Sequence, residues 1–151
     1  MRSNNHGRNP LRNEHTLANG RFIQEYKKSA VNGASPLELI VMLYDGAIRC
    51  MQAGKEAMGN RDFEKQNAHL QRAQKIVTEL MACLDMDQGK EIATNLLAIY
   101  SYALNELVQA NVSADPVPVE RCLRIFRELR GTWVSLEQAR KSNDGADSIA
   151  A

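Results

Sequence analysis

The chain has 151 residues, with 19 lysines and arginines against 18 aspartates and glutamates, a net formal charge of +1. That length suffices for one domain with a real core and no need of metal or disulfide staples, and near neutrality gives the chain as a whole no electrostatic signature of nucleic-acid or membrane binding. Plentiful Leu, Ala, Glu, Lys, Arg, Gln and Met, sparse Gly and Pro, and no alternation of period two point to an all-α fold. No apolar run approaches the ~20 residues of a membrane span, and the polar N-terminus has no signal-peptide core, so a cytoplasmic protein without membrane insertion is expected. Cys50, Cys83 and Cys122 are widely spaced within helical patterns and read as reduced core thiols.

Residues 1–20 are rich in Asn, Arg, His and Gly with almost no apolar content, and are expected to form a disordered basic tail. Arg2, Arg8 and Arg12 stand there against Glu14. A solvated terminus is favoured over a nucleic-acid arm, because no aromatic residue accompanies the charges. His6 and His15 have no Cys or carboxylate at ligand spacing, so no metal is expected. In 21–30, Phe22, Ile23, Tyr26 and Ala30 recur at helical spacing before Val31-Asn32-Gly33 interrupts. A piece this short must dock to persist, either as an extra turn of core or as a movable lid over a partner groove.

Helix one announces itself at Ser35-Pro36-Leu37-Glu38, a capping box with Pro at the first helical position, and is expected to run to about Met58. Leu37, Ile40, Val41, Tyr44, Ala47, Ile48 and Met51 form one apolar stripe, and Leu39, Met42, Leu43, Gly46 and Cys50 form a second. One neighbour could not bury both. Asp62 is the expected cap of helix two, whose seam is Phe63, Leu70, Ala73, Val77, Leu80 and Leu84. His69 lies off that seam and is read as a boundary residue. After a turn at Asp85–Gly89, helix three carries Ile92, Leu96, Tyr100, Ala103, Leu107 and Val108 as its core stripe, with Ala93, Leu97, Ile99 and Tyr102 as further apolar surface. Asp115-Pro116 caps helix four, predicted to about Lys141 through Val119, Cys122, Leu123, Phe126, Leu129, Trp133 and Leu136, with 142–151 as a flexible tail. Its Arg121, Arg124, Arg127, Arg130, Arg140 and Lys141 alternate with glutamates, the pattern of a solvated face.

No Glu has a His three residues on, and there is no phosphate loop, Walker motif or His-Glu-x-x-His, so neither a catalytic residue nor a cofactor is expected. What remains is an antiparallel four-helix bundle over 21–141, with a short N-terminal helical or lid segment and more apolar helix surface than four mutually packed stripes consume. In a soluble protein such a surplus marks a groove for a partner.

A series of residues then fits a known pattern. It runs through Tyr26, Ala34-Ser35-Pro36, Glu38-Leu39, Met42 to Ala47, Ile76, Glu79-Leu80, Leu84-Asp85, Gly89, Ile92-Ala93, Asn95-Leu96, Tyr100, Tyr102, Leu107, Ala110-Asn111, Leu129-Arg130 and Trp133. In that order and with those gaps, the chain resembles the flagellar secretion chaperone family known as FliS. The resemblance implies a cytoplasmic bundle that binds the C-terminal segment of flagellin in an apolar groove and keeps the subunit from polymerising before export, without cofactor, nucleic acid or catalysis. It also implies that Ile23 and Tyr26 form a lid on that groove. The groove residues nominated are Leu39, Met42, Leu43, Asn95, Leu96, Ile99 and Tyr102, each weighed against simple core packing. An anti-sigma factor or a co-chaperone is a candidate second partner, and the expected state is a monomer or a homodimer. The alternative function is a helical regulatory or nucleic-acid-binding module that uses the basic tail and helix four.

Overall fold

Two aspartates set the helix starts that organise the chain. The Asp62 carboxylate accepts the Lys65 backbone N–H at 3.2 Å, and that of Asp85 accepts those of Asp87 and Gln88 at 3.1 and 3.0 Å. Each satisfies donors that the first turn of a helix leaves open. The structure, a computed structural model, describes residues 33–150, with side chains through 145. Among the described residues there are four helices and no strand: α1 (Pro36–Gly59), α2 (Phe63–Ala82), α3 (Met86–Ser113) and α4 (Pro116–Ala150). They belong to one unit, Pro36–Ala151. The expected residues of the N-terminal tail and lid, Ile23 and Tyr26 included, lie outside the described residues.

The short connections make sequential helices antiparallel, and the packing closes a ring in which α1 meets α2 and α4, and α3 meets α2 and α4. Helix α1 therefore has two neighbours, which accounts for its double stripe: Leu39, Leu43, Cys50 and Ala57 are buried, and so are Tyr44, Ala47, Met51 and Met58. Close approach to α2 depends on Gly54, where a Cβ would lie 2.7 Å from Leu70 Cδ2, so the helix backbone rests directly on a buried leucine.

Several expectations shift by one residue or one turn. In α2, Leu70, Ala73, Val77 and Leu80 are buried as expected, but Phe63 is 53% exposed. It sits at the first helical position, beyond the reach of its neighbours, and the last buried layer is filled by Gln66. The Gln66 amide Nε2 donates to the Asn111 carbonyl oxygen and Oδ1 at 3.2 and 2.9 Å, which tolerates its burial. In α3 the buried stripe is Ala93, Leu96, Tyr100, Ala103, Leu107 and Ala110, so Ile92 and Val108 face outward at 69% and 44% exposure. Helix α4 begins at Pro116 and accommodates Pro118 because the first turn has no intrahelical partners for its N–H groups to lose. The helix continues to Ala150, past the predicted end near Lys141, and an Arg140–Asp144 ion pair at 3.0 Å spans that boundary. Leu136, expected on its core stripe, is 49% exposed.

The α4 cations are solvent-facing, four of the six exposed and none buried, and several of them also reach across to α1. Arg130 pairs with Asp45, Arg127 donates to Gln52 at 3.0 Å, Lys141 reaches Glu38 at 3.3 Å and Lys55 of α1 reaches Glu120 at 3.3 Å. Glu38, Asp45 and Gln52 recur every seven residues along α1, so these contacts form a ladder that fixes the register of α1 against α4. Individually such exposed pairs contribute only ~0–1 kcal/mol, and their value is orientation rather than strength.

At the centre, Tyr44, Tyr100 and Phe126 pack ring against ring, with centroids 5.3 to 6.4 Å apart, and the Tyr44 and Tyr100 hydroxyls share a 2.6 Å hydrogen bond. Burial pushes the Tyr44 phenol up, the bond with Tyr100 opposing it; burial also pushes Tyr100 up, and Tyr44 reinforces that shift. Both folded-state values thus lie above that of an unfolded tyrosine, about 10. The folded protein keeps two protons that the unfolded chain surrenders, so this stability is intact below about pH 10 and falls as the pH rises beyond it. Alkaline unfolding followed by circular dichroism is expected to release tyrosinate absorbance in the same transition. Full tyrosinate absorbance while the helical signal persists would contradict a sealed pair.

Candidate functional site

An antiparallel ring brings the start of α1, the end of α2, the start of α3 and the second half of α4 to one end of the bundle. Packing there is incomplete. A cleft of about 330 Å³ opens among Ile40 of α1, Leu80 of α2, Leu84 of the following turn, Ile92 and Leu96 of α3, and Trp133 of α4. Its floor is Ala93 and Tyr100, and Asp85 and Gln88 are the polar groups beside it. An apolar cleft with few polar groups suits the non-polar face of a peptide better than a small charged metabolite.

The cleft lies where α3 breaks. Lys90 has φ 47° and ψ −118°, which interrupts the helix after its first turn. Its neighbour Gly89 fits tightly, since a Cβ there would lie 2.8 Å from that of Ala93. Ile92, two residues past the break, projects at the cleft rim because the buried stripe of α3 is centred on Ala93, Leu96 and Tyr100. Cys83, expected in the core, is an exposed residue with a free thiol at the α2 C-cap that lines this opening, and partial desolvation of the sulfur against the cleft wall, followed by the charge of Glu79, raises its pKa. Cys50 and Cys122 are buried, and the Cys122 thiol is pushed up to about 12 chiefly by burial. Among the described residues no group of His, Cys, Asp and Glu could hold a metal ion.

The nominated groove residues divide into three groups. Leu96 lines the cleft while itself 7% exposed. Leu39 and Leu43 are core residues, 4% and 5% exposed, packed beneath the surface of α1. Met42 and Tyr102 are exposed at 46% and 43%, Asn95 is exposed and Ile99 half-buried. Because α1 and α3 stand diagonally in the ring, Met42 and Tyr102 occupy different corners of the bundle. By spacing alone, Ile40, Leu84 and Trp133 belong to the apolar stripes of helices one, two and four, yet all three line the cleft. Their common feature, visible in the sequence only after the helices are paired antiparallel, is proximity to the same helix ends.

The family model described as flagellar protein FliS matches residues 19–140, which spans all of α1, α2 and α3 and most of α4. The chain belongs to the FliS family. A flagellar secretion chaperone FliS of Vibrio cholerae is 35% identical over 115 residues, covering 74% of this chain and 85% of the relative. That of Bacillus subtilis is 32% identical over 126 residues, covering 83% and 93%, and that of Salmonella typhimurium 34% over 113 residues, covering 74% and 84%. The FliS match takes in Ile23 and Tyr26, whereas residues 1–18 precede it. Among the described residues no helix is long and apolar enough to cross a membrane.

Proposed function

We propose that this FliS-family protein is a cytoplasmic flagellar secretion chaperone that binds the C-terminal segment of flagellin and prevents its premature polymerisation. The observation that carries this reading is the apolar cleft at the convergent helix ends, with Ile92 projecting 69% exposed at its rim, in a chain related to flagellar secretion chaperones. A flagellin terminus that cannot bury its own apolar face is an aggregation hazard, and covering that face requires neither ATP nor catalysis. The cleft takes one part of the client, and its flanks wrap around the bundle so as to reach Met42 at one corner and Asn95, Ile99 and Tyr102 at another. The basic face invoked by a nucleic-acid-binding reading is largely committed, since Arg127, Arg130 and Lys141 contact α1 and Arg121 pairs with Glu106 at 2.8 Å.

Co-purification decides the matter. Full-length flagellin is expected to be retained by the immobilised protein, and flagellin lacking its C-terminal segment to be lost. Equal retention of both forms would reject this mode of binding.

A further inference from the structure

The geometry points to a gate built into α3: its first turn swings about Lys90, and Met86 is the plug that closes the cleft. This rests on reading the cleft as the flagellin site. The buried stripe of α3 begins at Ala93, Leu96 and Tyr100, and the same four-and-three alternation carried backward reaches Gly89 and then Met86. Leu96, Ala93 and Gly89 all line the cleft, so a continuous helix would present Met86 as the next side chain along it. In the structure Met86 is instead 44% exposed, because the break at Lys90 rotates the preceding turn out of phase. Methionine, unbranched and flexible, suits an irregular apolar gap.

The two arrangements are closely matched for identifiable reasons. Against the open one stands Lys90 itself, held at φ 47° and ψ −118°, a conformation costly for any residue with a Cβ. In its favour stands the first turn, closed by the Asp85 cap and by a Gly89 N–H to Asp85 carbonyl bond of 2.8 Å, so it is satisfied without the rest of the helix. Gly89 is the enabling residue. A Cβ there would meet Ala93 Cβ at 2.8 Å in the broken helix, whereas residues four apart in an unbroken helix hold their Cβ atoms about 5–6 Å apart. The connection Cys83–Asp85 absorbs the swing.

Gly89→Ala therefore penalises only the open form. It is expected to raise the closed-to-open ratio by about fivefold or more, the scale of alanine's helical advantage over glycine. Trp133 is the chain's single tryptophan and lines the cleft, so acrylamide quenching of its fluorescence reports the gate with no client present. Quenching, and affinity for a flagellin C-terminal peptide, should both fall in Gly89→Ala. Both should return towards wild-type values in Gly89→Ala/Met86→Ala, where the straight helix has nothing to insert. Unchanged quenching in the single variant, no recovery in the double variant, or a loss of helical signal in either overturns the gate. If quenching follows the expected order but no protein binds the peptide, the gate stands and the proposed function falls. If the wild type binds and the variants differ in neither readout, the gate falls and the function stands.

Discussion

Ile92→Asp is expected to weaken binding of flagellin's C-terminal segment by at least about tenfold while moving the thermal midpoint by no more than a few degrees. The separation of the two effects follows from where the side chain stands. Ile92 is 69% exposed, so its removal leaves no cavity and the free protein loses little. In the complex, the same position lies at the rim of an apolar cleft, and a carboxylate there must be desolvated against the client or hold the client away. Titration calorimetry against the peptide and a thermal melt of the free variant measure both sides. Undiminished affinity would remove Ile92 from the interface and with it the placement of the client at this end of the bundle.

Ile92 also marks the boundary of what the amino-acid pattern reveals. The cap at Asp62 and the seam Leu70, Ala73, Val77, Leu80 are local consequences of capping and periodicity and are legible in the sequence, whereas Asp85–Gly89, which reads as a turn, is the cap and first turn of α3. Counting Ile92 into the core follows its four-residue spacing to Leu96, but the buried stripe is centred on Ala93, Leu96 and Tyr100, which turns Ile92 outward as it does Val108. The left-handed φ of Lys90 has no sequence signal either, since lysine favours helix interiors. Phe63 fails for a different reason: its spacing fits the seam, but no neighbour extends far enough to cover the first position of α2. The cations of α4 were read from intervals along their own helix, whereas Asp45, Gln52 and Glu38 contact them across the bundle. The cleft is the least local feature of all, because it exists only where ends of four helices meet and fail to fill the space between them.

The family resemblance and the periodicity reached the same architecture by separate routes, yet neither distinguished lining from core among the nominated residues. Leu39 and Leu43 lie on an apolar face that α1 turns toward its neighbours, while Met42, one position away, is left at the surface. Apolar character alone carries no information about which side of a helix finds a partner when both flanks are apolar. That choice is made by tertiary packing, here by the ring order of the helices.

Phe126→Ala is expected to behave in the opposite manner to Ile92→Asp, lowering stability and client affinity together. Phe126 is fully buried, with its ring centroid 5.3 Å from that of Tyr44 and 6.2 Å from that of Tyr100. Truncating a sealed phenylalanine removes its transfer free energy and leaves a void, a loss of about 3–5 kcal/mol out of the ~5–15 kcal/mol that holds a typical domain together. Denaturant titration should show the midpoint falling accordingly. Tyr44 also packs against Trp133, with centroids 6.4 Å apart, and Tyr100 forms part of the cleft floor, so collapse into the void would draw in the wall against which the client rests. Phe126→Leu, which keeps most of the volume, should recover much of both losses. A Phe126→Ala protein as stable as the wild type would mean that the aromatic cluster is not the core of the bundle. If stability fell and affinity did not, the cluster would be mechanically separate from the cleft.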